Sequence, residues 1–358
     1  MSFTEQEIVL AYRLMLDRVP SAAEIAHMQA HHDDAAALRQ TFVAAPEFRR
    51  QFPQAAVAPP PRRPRAPHEV LYHYYSGFDA PGTIAAHARN DVQPEPGFVK
   101  NFLGLKIPAA IHPSQLTAML GKVEGPPDPG NWHADIAEWA AALRTVGLAQ
   151  DRYRIVELGC GWGCWLSNTG LAARARGLAV DLIGIEGDPN HLANAREVLL
   201  LNGFDPSEFA LNHGIAAPRP GKAIFPLHEG GPTNWGGQAV FHPDKATLAA
   251  AEKDPAAQVL DCMTLEMLSG GQTIDLLHID IQGAETDYVR GNMQDIARLV
   301  RRVLIGTHSR VIEGELTAHF LAAGWRLEME RPAVAPIRNG QPVIGIDGVQ
   351  MWANPALS

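Results

Sequence analysis

Apolar positions change their period twice along this chain. From Thr4 to about residue 52 they recur every three to four residues, with Ile8, Val9, Tyr12, Met15 and Leu16 on one stripe, which predicts helix. Thr4 with Glu7, and Ser21 with Glu24, form two capping boxes in which hydroxyl and carboxylate each satisfy an otherwise unbonded helix N–H. Pro20 ends the first helix. Asp33 and Asp34 start another that carries Leu38 and Phe42, and Pro46-Glu47-Phe48 restarts the chain. The stretch AVAPPPRRPRAP, within 53–67, can be neither helix nor central strand and predicts a stiff, extended linker. Residues 68–130 mix Tyr72, Tyr74, Tyr75 and Phe78 with frequent Pro and Gly, which predicts an irregular cap or lid with short helices. Asp135 to Val146 then reads as an amphipathic helix.

From Tyr153 the pattern becomes buried apolar runs separated by helical stretches. RIVELG, AVDLIGIEG, FALNHGIAA, IDLLHIDI and RRVLIGTHS predict five strands, with a helix from Pro189 to Asn202 and another over Glu313–Ala323. Two late strands, WRLEME and PVIGIDGVQMW, predict an antiparallel finish. Buried strands alternating with helices imply an α/β domain over 131–358, with a mostly parallel sheet covered on both faces. The whole chain then divides into a helical module at 1–52, a linker at 53–67, a cap at 68–130 and this α/β domain.

Composition narrows the function classes. With 46% hydrophobic residues the chain can bury a sizeable core, and its formal charge of −9 argues against a nucleic-acid partner. No run approaches a membrane span, and the N-terminal MSFTEQEIV has neither the basic nor the apolar region of a signal peptide. The three cysteines form no C-x-x-C pair, so neither a zinc site nor a disulfide framework is expected. The expected compartment is a reducing cytoplasm.

The first strand runs into Glu157-Leu158-Gly159-Cys160-Gly161-Trp162-Gly163. Ligands of open parallel sheets bind at the carboxyl ends of strands, where glycines let the backbone come close. The spacing is G-x-G-x-G. A dinucleotide fingerprint would put its third glycine at Cys164 or Leu166 and finds none there. An acid two residues before the first glycine suits a cationic amino-acid end better than a pyrophosphate. Glu186, just after the second strand and followed by Gly187 and Asp188, can accept both hydroxyls of a ribose.

In this order, ELGCGWG, IEGDPNHLANAREVLLLNG, HGIAA, Met263-Thr264-Leu265 and HIDIQGAE resemble the FkbM-type methyltransferases over about 150–330. The resemblance implies a class I, Rossmann-like methyltransferase fold, S-adenosyl-L-methionine as cofactor, and O-methylation, often of sugars or polyketide-like hydroxyls. It places Glu157, Gly159, Cys160, Gly161 and Gly163 around the methionine portion of the cofactor. It also places Glu186, Gly187 and Asp188 at the ribose, and the stretch His213–Ile215, with Gly214 and Ile215, near the adenine. The family's K-x-D-x-E-G motif is changed here, with His278 and Gln282 at the positions of its lysine and glutamate. The first fifty residues (YRLMLDRVP, APEF) resemble a small bacterial helical domain of unknown function found beside carbohydrate-modifying enzymes.

Methyl transfer from a sulfonium is an in-line displacement, so the enzyme must align acceptor, methyl and sulfur and take up a hydroxyl proton. His308 is the preferred base, narrowly ahead of His278, and Asp280 organises the cofactor's amino end. A divalent metal on Asp280, Glu285 and the histidines is the less favoured alternative, because hard cations want more oxygen ligands. The insert from Pro226 to Pro243 is expected to wall the acceptor pocket through Asn234 and Trp235, with a small molecule or glycan as acceptor. A protein partner is expected to bind through residues 1–52. Two rivals remain, a non-catalytic cofactor-binding scaffold and, less favoured, a nicotinamide oxidoreductase.

Overall fold

The computed structural model describes residues 3–32, 34–51, 73–227 and 236–357. The linker 53–67, His228, Asn234 and Trp235 lie outside them. The chain forms two compact units, Met1–Ala66 and Pro67–Ser358.

The first unit holds four helices: α1 (Glu5–Leu16), α2 (Ala22–His31), α3 (Ala35–Ala44) and α4 (Pro46–Gln51). Both capping boxes form, at Thr4 and at Ser21. The apolar stripe of α1 packs Ile8, Tyr12 and Leu16 against Met28, Leu38, Phe42 and Phe48. Tyr12 meets Phe42 edge-on at 4.9 Å, a favoured aromatic geometry.

The second unit is built on one eight-stranded sheet. Its strands are β1 (Tyr75–Ser76), β2 (Arg152–Leu158), β3 (Ala179–Glu186), β4 (Phe209–His213), β5 (Leu276–Ile279), β6 (Arg302–Thr307), β7 (Arg326–Arg331) and β8 (Gly348–Ala353). They lie in the order β1-β7-β8-β6-β5-β2-β3-β4. Neighbours from β6 to β4 pair parallel, while β8 is antiparallel to both β6 and β7. This is the class I, Rossmann-like methyltransferase fold. From β2 the chain moves outward to β3 and β4, then returns across β2 to β5 and β6. That reversal opens a crevice at the carboxyl ends of β2 and β5.

Alternate residues of β2 feed two cores, as a pleated strand requires. Tyr153 and Ile155 join helices α6 (Ile136–Leu148), α7 (Cys164–Ala175) and α8 (Pro189–Leu201) on one face. Val156 and Leu158 join α9 (Glu285–Leu299) and α10 (Arg310–Ala322) on the other. Helix α5 (Ala80–His87) packs on α6. The segment read as a cap supplies Ile84, Val99, Phe102, Leu103, Leu105 and Ile107 to the same core. Helix α6 is therefore buried along most of its length, including Trp139, Ala140, Ala141 and Leu143. The expected one-sided amphipathic helix is corrected accordingly: it is covered from both sides.

The run FALNHGIAA is not one strand. It breaks at Gly214, where an added Cβ would sit 2.9 Å from the Asp261 carbonyl oxygen. Ile215–Ala216 crosses into a small sheet with Gly221–Pro226, Val240–Phe241 and Ala257–Met263. No helix among the described residues is long and apolar enough to cross a membrane.

Candidate active site

The glycine turn after β2 is a backbone feature first. Gly159, Gly161 and Gly163 all take left-handed φ, at 69°, 50° and 73°, a region costly for residues with a Cβ. At Gly159 space is lacking as well, since a Cβ would lie 2.1 Å from the Asp280 carbonyl oxygen. The turn is thus pressed against the end of β5, and it feeds α7 at Cys164. Gly159→Ala combines backbone strain with overlap, so it should cost about 3 kcal/mol or more. That corresponds to a thermal midpoint lowered by roughly 5 °C in a unit of this size. A midpoint within a degree of wild type would show that the turn tolerates a Cβ.

A cleft of about 900 Å³, open solvent at its mouth included, lies over this turn. Of the residues expected from sequence, Gly159, Gly161, Glu186, Gly187, Asp188, Gly214, Ile215 and Asp280 line it. Glu186 ends β3 and accepts hydrogen bonds from the N–H groups of Gly161 and Asp188, both at 2.8 Å. Asp188 caps α8 through the amides of Asn190 and His191.

Three residues expected at the cofactor do not line this cleft. Glu157 is buried beneath the turn, where its oxygens accept from the amides of Trp165 (3.3 Å) and Leu166 (3.0 Å) at the start of α7. Burial pushes its carboxyl up to about 8, against the downward pull of those amides. Cys160 is buried in the core, and Gly163 packs toward Ala195, so neither lines the cleft. Sequence reasoning also missed lining residues. Phe225 and Phe241 come from the small sheet, and Ile281 and Gln282 from the loop after β5. The Phe225 ring fits between Gly187 and Gly237, where an added Cβ would approach it to 2.8 and 2.5 Å. The apolar run Ala223-Ile224-Phe225 was the available strand signal. Of the insert expected to wall the acceptor, Pro226, Gly237, Ala239 and Phe241 line this cleft, while Asn234 and Trp235 lie outside the described residues.

At the cleft's far end stands a chain of three ionisable side chains. His308, just after β6, bonds Glu285 through Nδ1 at 3.0 Å and faces Asp280 through Nε2 at 3.3 Å. Both ring nitrogens face carboxylate oxygens, an arrangement that favours the doubly protonated imidazolium. Burial opposes that charge, but the two carboxylates raise its pKa to about 10. An imidazolium has no lone pair to accept a proton, so this pairing weighs against the expected role of His308 as base. Glu285 is fully buried and also accepts from the amides of Ile281 (3.2 Å) and Gly283 (3.0 Å). Burial alone would raise the Asp280 carboxyl, yet the hydrogen bond and charge of His308 hold it below its ordinary range. Gln282 adds a 3.0 Å hydrogen bond to Asp280, a donor where the resemblance would have a repelling glutamate.

His278 does not line the cleft. It is buried against Trp165, with ring centroids 5.9 Å apart, and burial lowers its pKa to about 4, so its ring is neutral there. Atoms of Asp280, Glu285 and His308 lie within 4.8 Å of one another. The two carboxylates, however, address different nitrogens of one ring. With one imidazole and two carboxylates, the trio offers fewer oxygen ligands than a hard divalent cation prefers.

The raised pKa of His308 has a stability consequence. Its contribution is complete below about 6.5 and is lost as pH rises through about 10. His308→Gln should therefore melt below wild type at pH 6.5, with the gap closing progressively between about pH 6.5 and 10. A gap unchanged across that range would refute the imidazolium.

A model of the methyltransferase FkbM domain matches residues 146–331, half of the chain. A relative from Jannaschia sp. (strain CCS1), named "Putative methyltransferase", is 52% identical over 280 residues, which covers 78% of this chain and 97% of the relative. Among solved structures, the chain is similar to methyltransferase FkbM from Methylobacillus flagellatus KT. That match has 14% identity and a TM-score of 0.38, over 61% of this chain and 54% of the other, so the chain spans about half of that protein. Precorrin-6y C5,15-methyltransferase from Geobacter metallireducens GS-15 matches at 9% identity and a TM-score of 0.34, over 64% and 91%.

Proposed function

This chain belongs to the FkbM methyltransferase family, and from that membership we propose that it is an S-adenosylmethionine-dependent O-methyltransferase acting on a hydroxyl, in a sugar or glycan. The observation that carries the cofactor is the charge of the cleft lining. Glu186, Asp188 and Asp280 line it, and no Lys or Arg does among the described residues. Three carboxylates suit a ligand with ammonium and sulfonium charges and oppose the pyrophosphate of a nicotinamide dinucleotide. Glu186 has the position and the acceptors for ribose hydroxyls, while Ile215, Phe225, Phe241 and Ile281 offer the apolar surface an adenine needs.

When bound, S-adenosylmethionine supplies an electrophilic methyl group. Asp280 then stands where the acceptor meets the cofactor, ionised and with its side chain 43% exposed. It takes the hydroxyl proton, while His308 and Gln282 hold its orientation from behind. Glu285 fixes the His308 ring and the loop 281–283 together, so the base is set by packing before any ligand arrives.

Calorimetric titration with S-adenosylmethionine, S-adenosylhomocysteine and NAD tests the cofactor. Micromolar binding of the first two without NAD is the expected result. Binding of NAD alone would overturn the reading, and binding without turnover on any acceptor would favour a scaffold.

A further inference from the structure

A second cavity, of about 1120 Å³ with the open solvent at its mouth included, lies beside the small sheet. It shares only Phe241 with the cofactor cleft, and neither Glu186 nor Asp280 lines it. Its charge is opposite in sign to that of the chain. Acidic residues outnumber basic ones by 39 to 30 overall. Yet Arg219, Lys222 and His242 line this cavity, and no Asp or Glu does among the described residues. Arg219 is exposed and makes no ion pair among the described residues. Lys222 meets Asp261 at 2.7 Å, but the two side chains are 50% and 73% exposed, so water competes for that pair. Its ammonium keeps further N–H donors for another acceptor.

The backbone around these cations is fixed before any ligand arrives. Arg219 stands between Pro218 and Pro220, whose rings lock φ on either side of it. Pro218 is pressed onto α9 at Gly291, where an added Cβ would lie 2.5 Å from the proline Cγ. His242 holds a left-handed φ of 54°, uncommon for a residue with a side chain and costly unless its surroundings impose it. Phe241 and, from the helix Lys245–Ala251, Leu248 supply apolar wall. Donors carried on a rigid backbone lose little freedom on binding, and the apolar wall beside them can cover a ligand's body.

We propose that this cavity binds a small organic phosphate ester, with the phosphate at Arg219, Lys222 and His242 and the apolar body against Phe241 and Leu248. Arg219 supplies a planar fork of N–H donors that matches phosphate oxygens, Lys222 a second positive charge, and His242 an imidazole N–H. A phosphate dianion uses all three, whereas a carboxylate has one charge and two oxygens to divide among them. The two cavities share no charged residue, so this ligand and the cofactor are bound together. The site is separate from the methyl-transfer centre and does not depend on the methyltransferase reading.

The full chain would be titrated by calorimetry, in phosphate-free buffer, with phenyl phosphate, inorganic phosphate, benzoate and benzyl alcohol. Each titration would be run with and without saturating S-adenosylhomocysteine. Phenyl phosphate should bind one-to-one with a Kd of about 1 mM or tighter, at least about threefold ahead of inorganic phosphate and of benzoate. Benzyl alcohol should give no binding, and S-adenosylhomocysteine should change the phenyl phosphate Kd by less than about threefold. Arg219→Gln should weaken phenyl phosphate about tenfold or more, and Arg219→Lys, which keeps the charge, should weaken it less. Arg219 is exposed and unpaired, so the thermal midpoint and the cofactor Kd should stay put. Should Arg219→Gln melt early, Lys222→Gln carries the test, with an expected loss of about threefold or more. No binding of phenyl phosphate, its displacement by S-adenosylhomocysteine, or a wild-type Kd in both charge-removing variants would overturn the proposal. Equal binding of inorganic phosphate would remove the ester, and tighter binding of benzoate would remove the phosphate. Failure to bind S-adenosylhomocysteine would instead overturn the methyltransferase reading, and the titrations without it would still decide this one.

Discussion

Asp280→Asn should lower kcat by roughly 10²–10⁴-fold, the range associated with loss of a positioned base. The substitution keeps size and one acceptor, so the fold should survive. The backbone there is held independently of the side chain: the Asp280 amide bonds the Leu158 carbonyl at 3.1 Å, and its own carbonyl abuts Gly159. What Asn lacks is the basic oxygen facing the cleft. In the wild-type enzyme His308 is engaged elsewhere, its Nδ1 with Glu285 and its Nε2 facing Asp280. The same geometry distinguishes two pH profiles. With Asp280 as base, kcat/KM should be flat from pH 6 to 8, because the carboxyl is ionised throughout. With His308 as base, activity would climb toward pH 10. An Asp280→Asn enzyme with a near-normal kcat, or a profile climbing through pH 8, would reject Asp280 as the base.

The second large effect is on cofactor affinity. Glu186→Ala should weaken S-adenosylmethionine binding by about a hundredfold or more. Hydrogen bonds to a charged acceptor are worth about 1.5–3 kcal/mol each, and two ribose hydroxyls would lose one apiece. A further loss comes from the protein, since Glu186 ties the amide of Gly161 in the turn to that of Asp188 at the start of α8. Glu186→Gln retains an oxygen for one of these amides and should lose less. Calorimetry on both variants, beside their thermal midpoints, separates ligand contact from a loosened turn. A Kd within threefold of wild type for Glu186→Ala would remove Glu186 from the ribose site.

Much of this site was legible along the chain because local backbone chemistry creates it. The spacing Gly159-x-Gly161-x-Gly163 encodes left-handed backbone at the turn, and Glu186 follows the last apolar residue of its strand. The sequence left open what depended on a side chain's direction. Glu157 and Glu186 both lie near strand ends, and nothing in the sequence says that one turns beneath the glycine turn to cap α7 while the other faces the cleft. His308 looked like a base because histidine titrates near neutrality, but its partners Glu285 and Asp280 lie 23 and 28 residues away. Gln282 looked like a lost charge and instead supplies a donor to Asp280.

By itself, the sequence determined the helical N-terminal unit with its two capping boxes, the alternation of buried strands and helices, and the glycine turn with its following acid. These follow from hydrophobic period, capping and glycine conformation, all set within a few residues. Only the tertiary structure decided which carboxylates face the cleft, which histidine is charged, and that 73–130 belongs to the core. Charge state and exposure depend on neighbours distant in sequence, through desolvation and pairing, and those neighbours are chosen by the sheet order that brings β2, β5 and β6 side by side.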